Sequence, residues 1–65
     1  MTTDKIQMLD RTVAILDSFS LDQPVQGVRD VARKTGLSSS TAGRIMAYLK
    51  DLGILNQDPE TLSYM

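Results

Sequence analysis

Residues Val31 to Met46 constrain this chain more than any other stretch. Val31, Ala32, Arg33, Lys34 and Thr35 suit a short helix. Gly36 then supplies the left-handed residue that commonly ends one. Leu37 follows in the turn and is expected to point inward. Ser38 can cap a new helix, because its hydroxyl can accept a backbone N–H two or three residues on. The spacing therefore predicts two helices joined by a tight turn, a helix-turn-helix.

The flanking segments build around that pair. A first helix is predicted from about Asp4 to Phe19. Leu9, Val13 and Leu16 repeat at helical spacing, with Ile6 on the same side. Met8, Ile15 and Phe19 form a neighbouring stripe. Together the two cover more of the helix than one small core needs. Either the whole helix is buried, or the Met8, Ile15 and Phe19 stripe faces a second copy of the chain.

Ser20 to Gly27 is a connector, since Pro24 bars helix continuation. Val25 and Gln26 suit a very short strand. The second helix is expected to start near Asp30, with Arg29 at its N-cap and Asp30 favourable in the first turn. In the third helix Ala42, Ile45, Met46, Leu49 and Leu52 mark the buried face. Ser39, Ser40, Gly43, Arg44, Ala47 and Lys50 fall on the other side. Gly53 ends it. Ile54 to Gln57 and Leu62 to Met65 read as two strands around the turn Asp58-Pro59-Glu60-Thr61. The expected fold is mainly α with a small β-hairpin, a winged helix-turn-helix of three helices and a two-stranded wing. Its expected core is Leu9, Val13, Leu16, Val31, Leu37, Ile45, Leu49 and Leu55.

At 65 residues the chain suits one small domain. A chain of this size buries only about 60% of its unfolded surface, so a partner or further protein is expected to help hold it. It contains no cysteine and no histidine. No disulfide can form, and a metal site or other cofactor is not expected. The serines have no visible base partner, which argues against an enzyme. No apolar run is long enough to span a membrane or to form a signal peptide, so a cytoplasmic protein is expected.

The net charge is −1, which by itself does not suggest a polyanionic partner. Its distribution does. Residues 29–50 carry Arg29, Arg33, Lys34, Arg44 and Lys50 against Asp30 alone, a local +4, whereas the remainder is a local −5. A basic stretch can be just a solvated face, but here it coincides with a helix-turn-helix. Local charge governs phosphate contact.

Within that stretch Arg44 is the first candidate for contact with duplex DNA, as a bidentate partner of guanine or phosphate. Ser39, Ser40 and Thr41 lie at a helix N-terminus, where free N–H groups and hydroxyls favour phosphate. At least one of them is needed simply for capping. Arg33 and Lys34 suit either phosphate or the C-terminus of their own helix. Tyr48 is either core filler or a phosphate donor. Gly43 offers either close backbone approach or one fewer base contact.

Read in order, the chain resembles the N-terminal winged helix-turn-helix of IclR-type transcriptional regulators. Leu9-Asp10-Arg11-Thr12-Val13-Ala14-Ile15-Leu16 is similar to the family's "LDRALxIL". Val31 to Leu37 is similar to "LARxTGL", and Ser40 to Leu49 to "STxxRxLxxL". Leu52-Gly53-Ile54-Leu55 and Asp58 to Thr61 are similar to the family's strand entry and wing tip. The resemblance implies a regulator that binds a double-stranded operator as a homodimer. It also implies a small-molecule effector bound through a C-terminal domain absent from these residues. Three positions depart from the pattern. Arg29 stands where Ser or Thr commonly caps the second helix. The wing, commonly arginine-rich, carries Asn56, Gln57, Leu62 and Ser63. Gly43 replaces a larger side chain. The competing reading is a winged-helix module for protein–protein contact without DNA binding, which the acidic total and neutral wing favour.

Overall fold

The computed structural model describes residues 6–65. It contains three helices, α1 (Gln7–Ser18), α2 (Val28–Thr35) and α3 (Ser39–Asp51). Asp4 and Lys5, at the predicted start of α1, lie outside the described residues.

Helix α1 begins after Ile6, which makes no side-chain cap. Thr12 Oγ1 donates to Met8 O at 2.7 Å, and Ser18 Oγ donates to Ile15 O at 2.6 Å. These bonds satisfy the polar side chains of the helix locally. The helix breaks at Phe19, whose backbone is extended. Ser20 and Gln23 then exchange backbone bonds across a turn.

The two apolar stripes of α1 are not divided between core and surface as expected, although Leu16 does pack on the core. Ile15 is fully buried, and Leu16 and Phe19 pack against the core. Leu9 and Val13, expected in the core, are 58% and 55% exposed. Met8 is exposed as well. Only the end of α1 thus turns the Met8–Ile15–Phe19 stripe onto the rest of the protein, so that stripe is not a free surface for a second copy. Half-buried Thr12 shares the inward side. Its hydroxyl is paired within the helix, so a polar residue can sit there without loss.

Helix α2 starts earlier than expected. Gly27 is the N-cap, in extended conformation, and Val28 the first helical residue. Asp30 is therefore third in the helix, and its Oδ2 reaches back to accept the Gly27 N–H at 3.2 Å. That bond satisfies a donor the helix end leaves open. Arg29 lies inside the helix and is not its cap, so the departure from a Ser or Thr cap moves to Gly27. Gly36 closes α2 at φ 76°, and its N–H donates to Ala32 O at 2.9 Å.

Ser38 caps α3 as expected, its Oγ accepting the Thr41 N–H at 3.1 Å. At the other end Gly53 takes φ 81°. Its N–H donates to Lys50 O, and the N–H of Ile54 donates to Leu49 O. This double closure is the Schellman motif. Leu52, the C-cap residue, keeps helical backbone, yet it lines the open groove and is 55% exposed although the periodicity placed it inside.

The core is one cluster of Ile15, Val31, Ala32, Ala42, Ile45, Met46, Leu49, Leu55 and Tyr64, with Leu16, Phe19, Val28 and Leu37 packed against it. Tyr64 was not foreseen there. The segment carrying it pairs on both sides. Tyr64 and Gln26 exchange two backbone bonds at 2.7 and 2.9 Å, and Asn56 and Met65 exchange two more at 2.9 Å. Asp58 N–H donates to Ser63 O across the turn. These contacts are isolated antiparallel bridges, and no run among the described residues is a strand. The strands expected at 25–26, 54–57 and 62–65 are therefore reduced to single paired positions. Two features limit the ladder. Leu62 adopts φ 64°, a left-handed backbone unfavourable for leucine, and its N–H bonds to Asp58 O within the turn. The Gln26 side chain is buried and donates to Ser18 O at 2.8 Å, tying this junction to the end of α1.

Candidate nucleic-acid interface

Helix α3 turns Ala42, Ile45, Met46 and Leu49 into the core. Its opposite side carries Ser40, Arg44, Ala47 and Asp51, spaced i, i+4, i+7 and i+11, all exposed. Arg44 makes no hydrogen bond or ion pair among the described residues, and nothing holds its guanidinium back from a ligand. The face has few bulky side chains, so another surface can approach its backbone closely.

The helix start adds donors. Ser39 and Ser40 are exposed, and their hydroxyls are unpaired among the described residues. The N–H groups of these first two helical residues have no intrahelical acceptor, as at any helix N-terminus. Thr41 differs. Its hydroxyl accepts from Ser38 Oγ at 3.0 Å and its N–H is used by the cap. Thr41 is thus part of the helix-start structure.

The remaining sequence-derived residues separate into two groups. Gly43 faces the start of α2, not solvent: a Cβ there would sit 3.5 Å from Val28 Cγ1. Ordinary van der Waals distance leaves room for a methyl group. Gly43→Ala is therefore expected to raise stability by about 0.5–1 kcal/mol through helix propensity, read as a higher Tm with duplex binding retained. Tyr48 is 63% exposed, which settles the choice against core filler. Arg33 and Lys34 are engaged locally on α2. Arg33 pairs with Asp30 at 2.7 Å, the only ion pair among the described residues. Lys34 Nζ lies 3.5 Å from Ser18 O, at the C-terminal end of α1.

Sequence reasoning missed two features. Lys50 Nζ donates to Gln57 Oε1 at 3.3 Å, bringing a positive charge against a hairpin whose own charged residues, Asp58 and Glu60, are acidic. In addition, an open, mainly apolar groove of about 730 Å³ runs between α1 and α3. Met8, Leu9, Tyr48, Leu52 and Ile54 line it, with Arg11 and Arg44 at its polar margin. The signal for the groove was the surplus of apolar residues on α1, but their spacing did not say which ones remain outside.

Two helices joined through a left-handed glycine, the second presenting an unpaired arginine outward, form a helix-turn-helix, a motif common among DNA-binding transcription regulators. Comparison with known proteins gives the family. The model of the IclR helix-turn-helix domain matches residues 8–59. The chain belongs to that family, which is one of transcriptional regulators and not of enzymes. It is 39% identical over 57 residues to the p-hydroxybenzoate hydroxylase transcriptional activator of Acinetobacter baylyi, covering 88% of this chain and 21% of the relative. Among solved structures, an IclR family transcriptional regulator from Brucella abortus superposes with a TM-score of 0.93 at 31% identity, over 95% of this chain and 24% of that one. An IclR homologue from Microbacterium hydrocarbonoxydans, complexed with 4-hydroxybenzoate, gives 0.81 at 33% identity, over 88% and 23%. The chain thus spans about a fifth to a quarter of the length of these relatives. No helix among the described residues is long and apolar enough to cross a membrane.

Proposed function

We propose that residues 1–65 form one DNA-binding domain that seats α3 in the major groove of an operator in double-stranded DNA, as part of a cytoplasmic transcriptional regulator. The observation that carries this reading is Arg44, exposed and unpaired on the outward side of α3. Arg44 reads a base or clamps a phosphate. Ser39 and Ser40 hold phosphate with their hydroxyls and free N–H groups, and Tyr48 reaches the backbone from the groove side. Arg33 and Lys34 add longer-range positive charge. The paired hairpin is the wing, with Lys50 supplying the positive charge its own residues lack.

We further propose that the domain works as a homodimer and that a small-molecule effector acts through a separate C-terminal domain. The surface for the second copy is the exposed side of α1, where Met8 and Leu9 line the apolar groove and Val13 is also exposed. Apolar area of this extent is costly to leave in water on so small a protein. Two copies would set two α3 helices on half-sites about one helical turn, or a multiple, apart.

Titration of labelled duplex DNA over a salt series tests the reading. Affinity is expected to fall linearly on logarithmic axes, by about 0.9 per phosphate contact. With few basic side chains, one copy on non-specific DNA is expected near 10⁻⁴–10⁻⁶ M at physiological salt. Absence of duplex binding at low salt would instead favour the protein–protein module. Sedimentation over a dilution series tests the dimer: Val13→Ser is expected to weaken self-association while leaving the monomer's Tm within the small range typical of surface changes. A chain that stays monomeric at every concentration would remove the α1 surface from the proposal.

A further inference from the structure

Asp51 stands on the same side of α3 as Arg44, two turns further on, and is exposed. Its carboxylate makes no ion pair or hydrogen bond among the described residues, although Lys50 is its neighbour. It also occupies the last position of the helix, where the helix dipole disfavours negative charge. Local structure therefore gives no reason for an acid there, and the face it shares with Arg44 gives one against simple phosphate attraction.

We infer that Asp51 is a specificity-determining residue: it repels phosphate when α3 lies on unrelated DNA, and in the operator complex it accepts a hydrogen bond from the exocyclic amino group of a cytosine or adenine. This rests on the proposed seating of α3. Phosphates and most base-edge atoms are acceptors, so a carboxylate near them is repelled. The major groove offers it only the amino groups of cytosine and adenine. A helix rises 1.5 Å per residue, so Arg44 and Asp51 are about 10 Å apart along α3. With base pairs stacked about 3.4 Å apart, that separation spans at most about three base pairs. The pair Arg44 and Asp51 thus combines a donor for guanine with an acceptor for an amino group at a fixed separation. The acid lowers affinity everywhere except where the second base is right.

The test compares Asp51→Asn with Asp22→Asn. The latter removes the same charge from the exposed connector between α1 and α2, where Asp22 has no side-chain bond among the described residues. Each protein is used to select bound sequences from a random duplex library, and all are then titrated against the unaltered protein's selected duplex and an unrelated one. Thermal melting checks that both variants stay folded. Asp51→Asn is expected to raise affinity for the unrelated duplex about threefold, the size of one charge lost some 6 Å from a phosphate in water. Affinity for the selected duplex is expected not to rise. The ratio of the two falls, and base preference relaxes at one position within about three base pairs of the guanine. Asp22→Asn is expected to leave the ratio and the preferences unchanged. If Asp51→Asn shifts both duplexes equally, as a loss of net charge would, or changes neither, the inference is overturned while DNA binding stands. If the unaltered protein binds no duplex, the proposed function fails and takes the inference with it.

Discussion

Ile15→Ala is expected to destabilise the protein by about 2–4 kcal/mol, the range for truncating a large buried aliphatic side chain to alanine. Ile15 is fully buried and sits where α1 meets the rest of the core. Removing its outer carbons forfeits their burial and leaves a cavity that three short helices close only in part. Stability of a small domain is only a few kcal/mol, so a loss of this size is a large part of the total. In a domain of this length each kcal/mol moves Tm by about 4–8 °C. The check is thermal unfolding followed by circular dichroism at several protein concentrations. Ile15→Ala should lower Tm at all of them, and Phe19→Ser should do so as well because Phe19 packs on the same cluster. Val13→Ser should not, since Val13 is more than half exposed. Loss of stability from Val13→Ser at high dilution, with Ile15→Ala innocuous, would mean that α1 is rotated from the position described.

That contrast also locates what the sequence could and could not tell. Gly36, Ser38 and Gly53 were legible because each requirement is local: a left-handed residue, a side-chain acceptor, a second left-handed residue. None depends on what lies across the core. The buried face of α3 was legible for Ala42, Ile45, Met46 and Leu49, since four small or aliphatic residues on one side leave little choice. Leu52 failed because it lies at the edge of the apolar face, on the open groove, where no element among the described residues covers it. The phase of α1 failed for a different reason. Two apolar stripes lie side by side on it, and periodicity does not say which one α2 and α3 will meet. Asp30 misled at the start of α2, because its carboxylate, at the third helical position, accepts the N–H of a cap residue three positions earlier. The hairpin segments have strand-like composition. Extended pairing is interrupted by Leu62 in its left-handed conformation and by the turn bond to Asp58. Tyr64 enters the core through pairing with Gln26, which is distant in sequence and carries no pattern that would announce it.

The candidate site was legible in kind and less so in membership. Residue types named Arg44, Ser39 and Ser40, and the fold sets them together at one end and side of α3. Types also named Arg33 and Lys34, which the structure occupies with Asp30 and the end of α1. A charge count treats all five basic residues of this stretch alike. Geometry ranks them by what they already hold.

Arg44→Ala follows from that ranking and is expected to have the largest effect on binding. Arg44 is exposed, and its loss should leave Tm within the narrow range of surface substitutions. If Arg44 reads guanine, affinity for the selected duplex should fall by about 1–3 kcal/mol and preference should relax at that base alone. If it clamps a phosphate, affinity should fall alike on selected and unrelated duplexes, and the salt slope should lessen by about 1. Arg33→Ala provides the comparison. Arg33 is already paired, on the exposed side of α2, and exposed pairs of this kind contribute little to stability. Its removal frees the Asp30 carboxylate to hold the Gly27 N–H without competition, so α2 should persist. Its effect on binding should be smaller than that of Arg44→Ala and uniform across sequences. The two titrations, run over the same salt series on the same duplexes, decide between base reading and phosphate clamping. Equal affinity for Arg44→Ala and the unaltered protein on the selected duplex would remove α3's outward face from the interface.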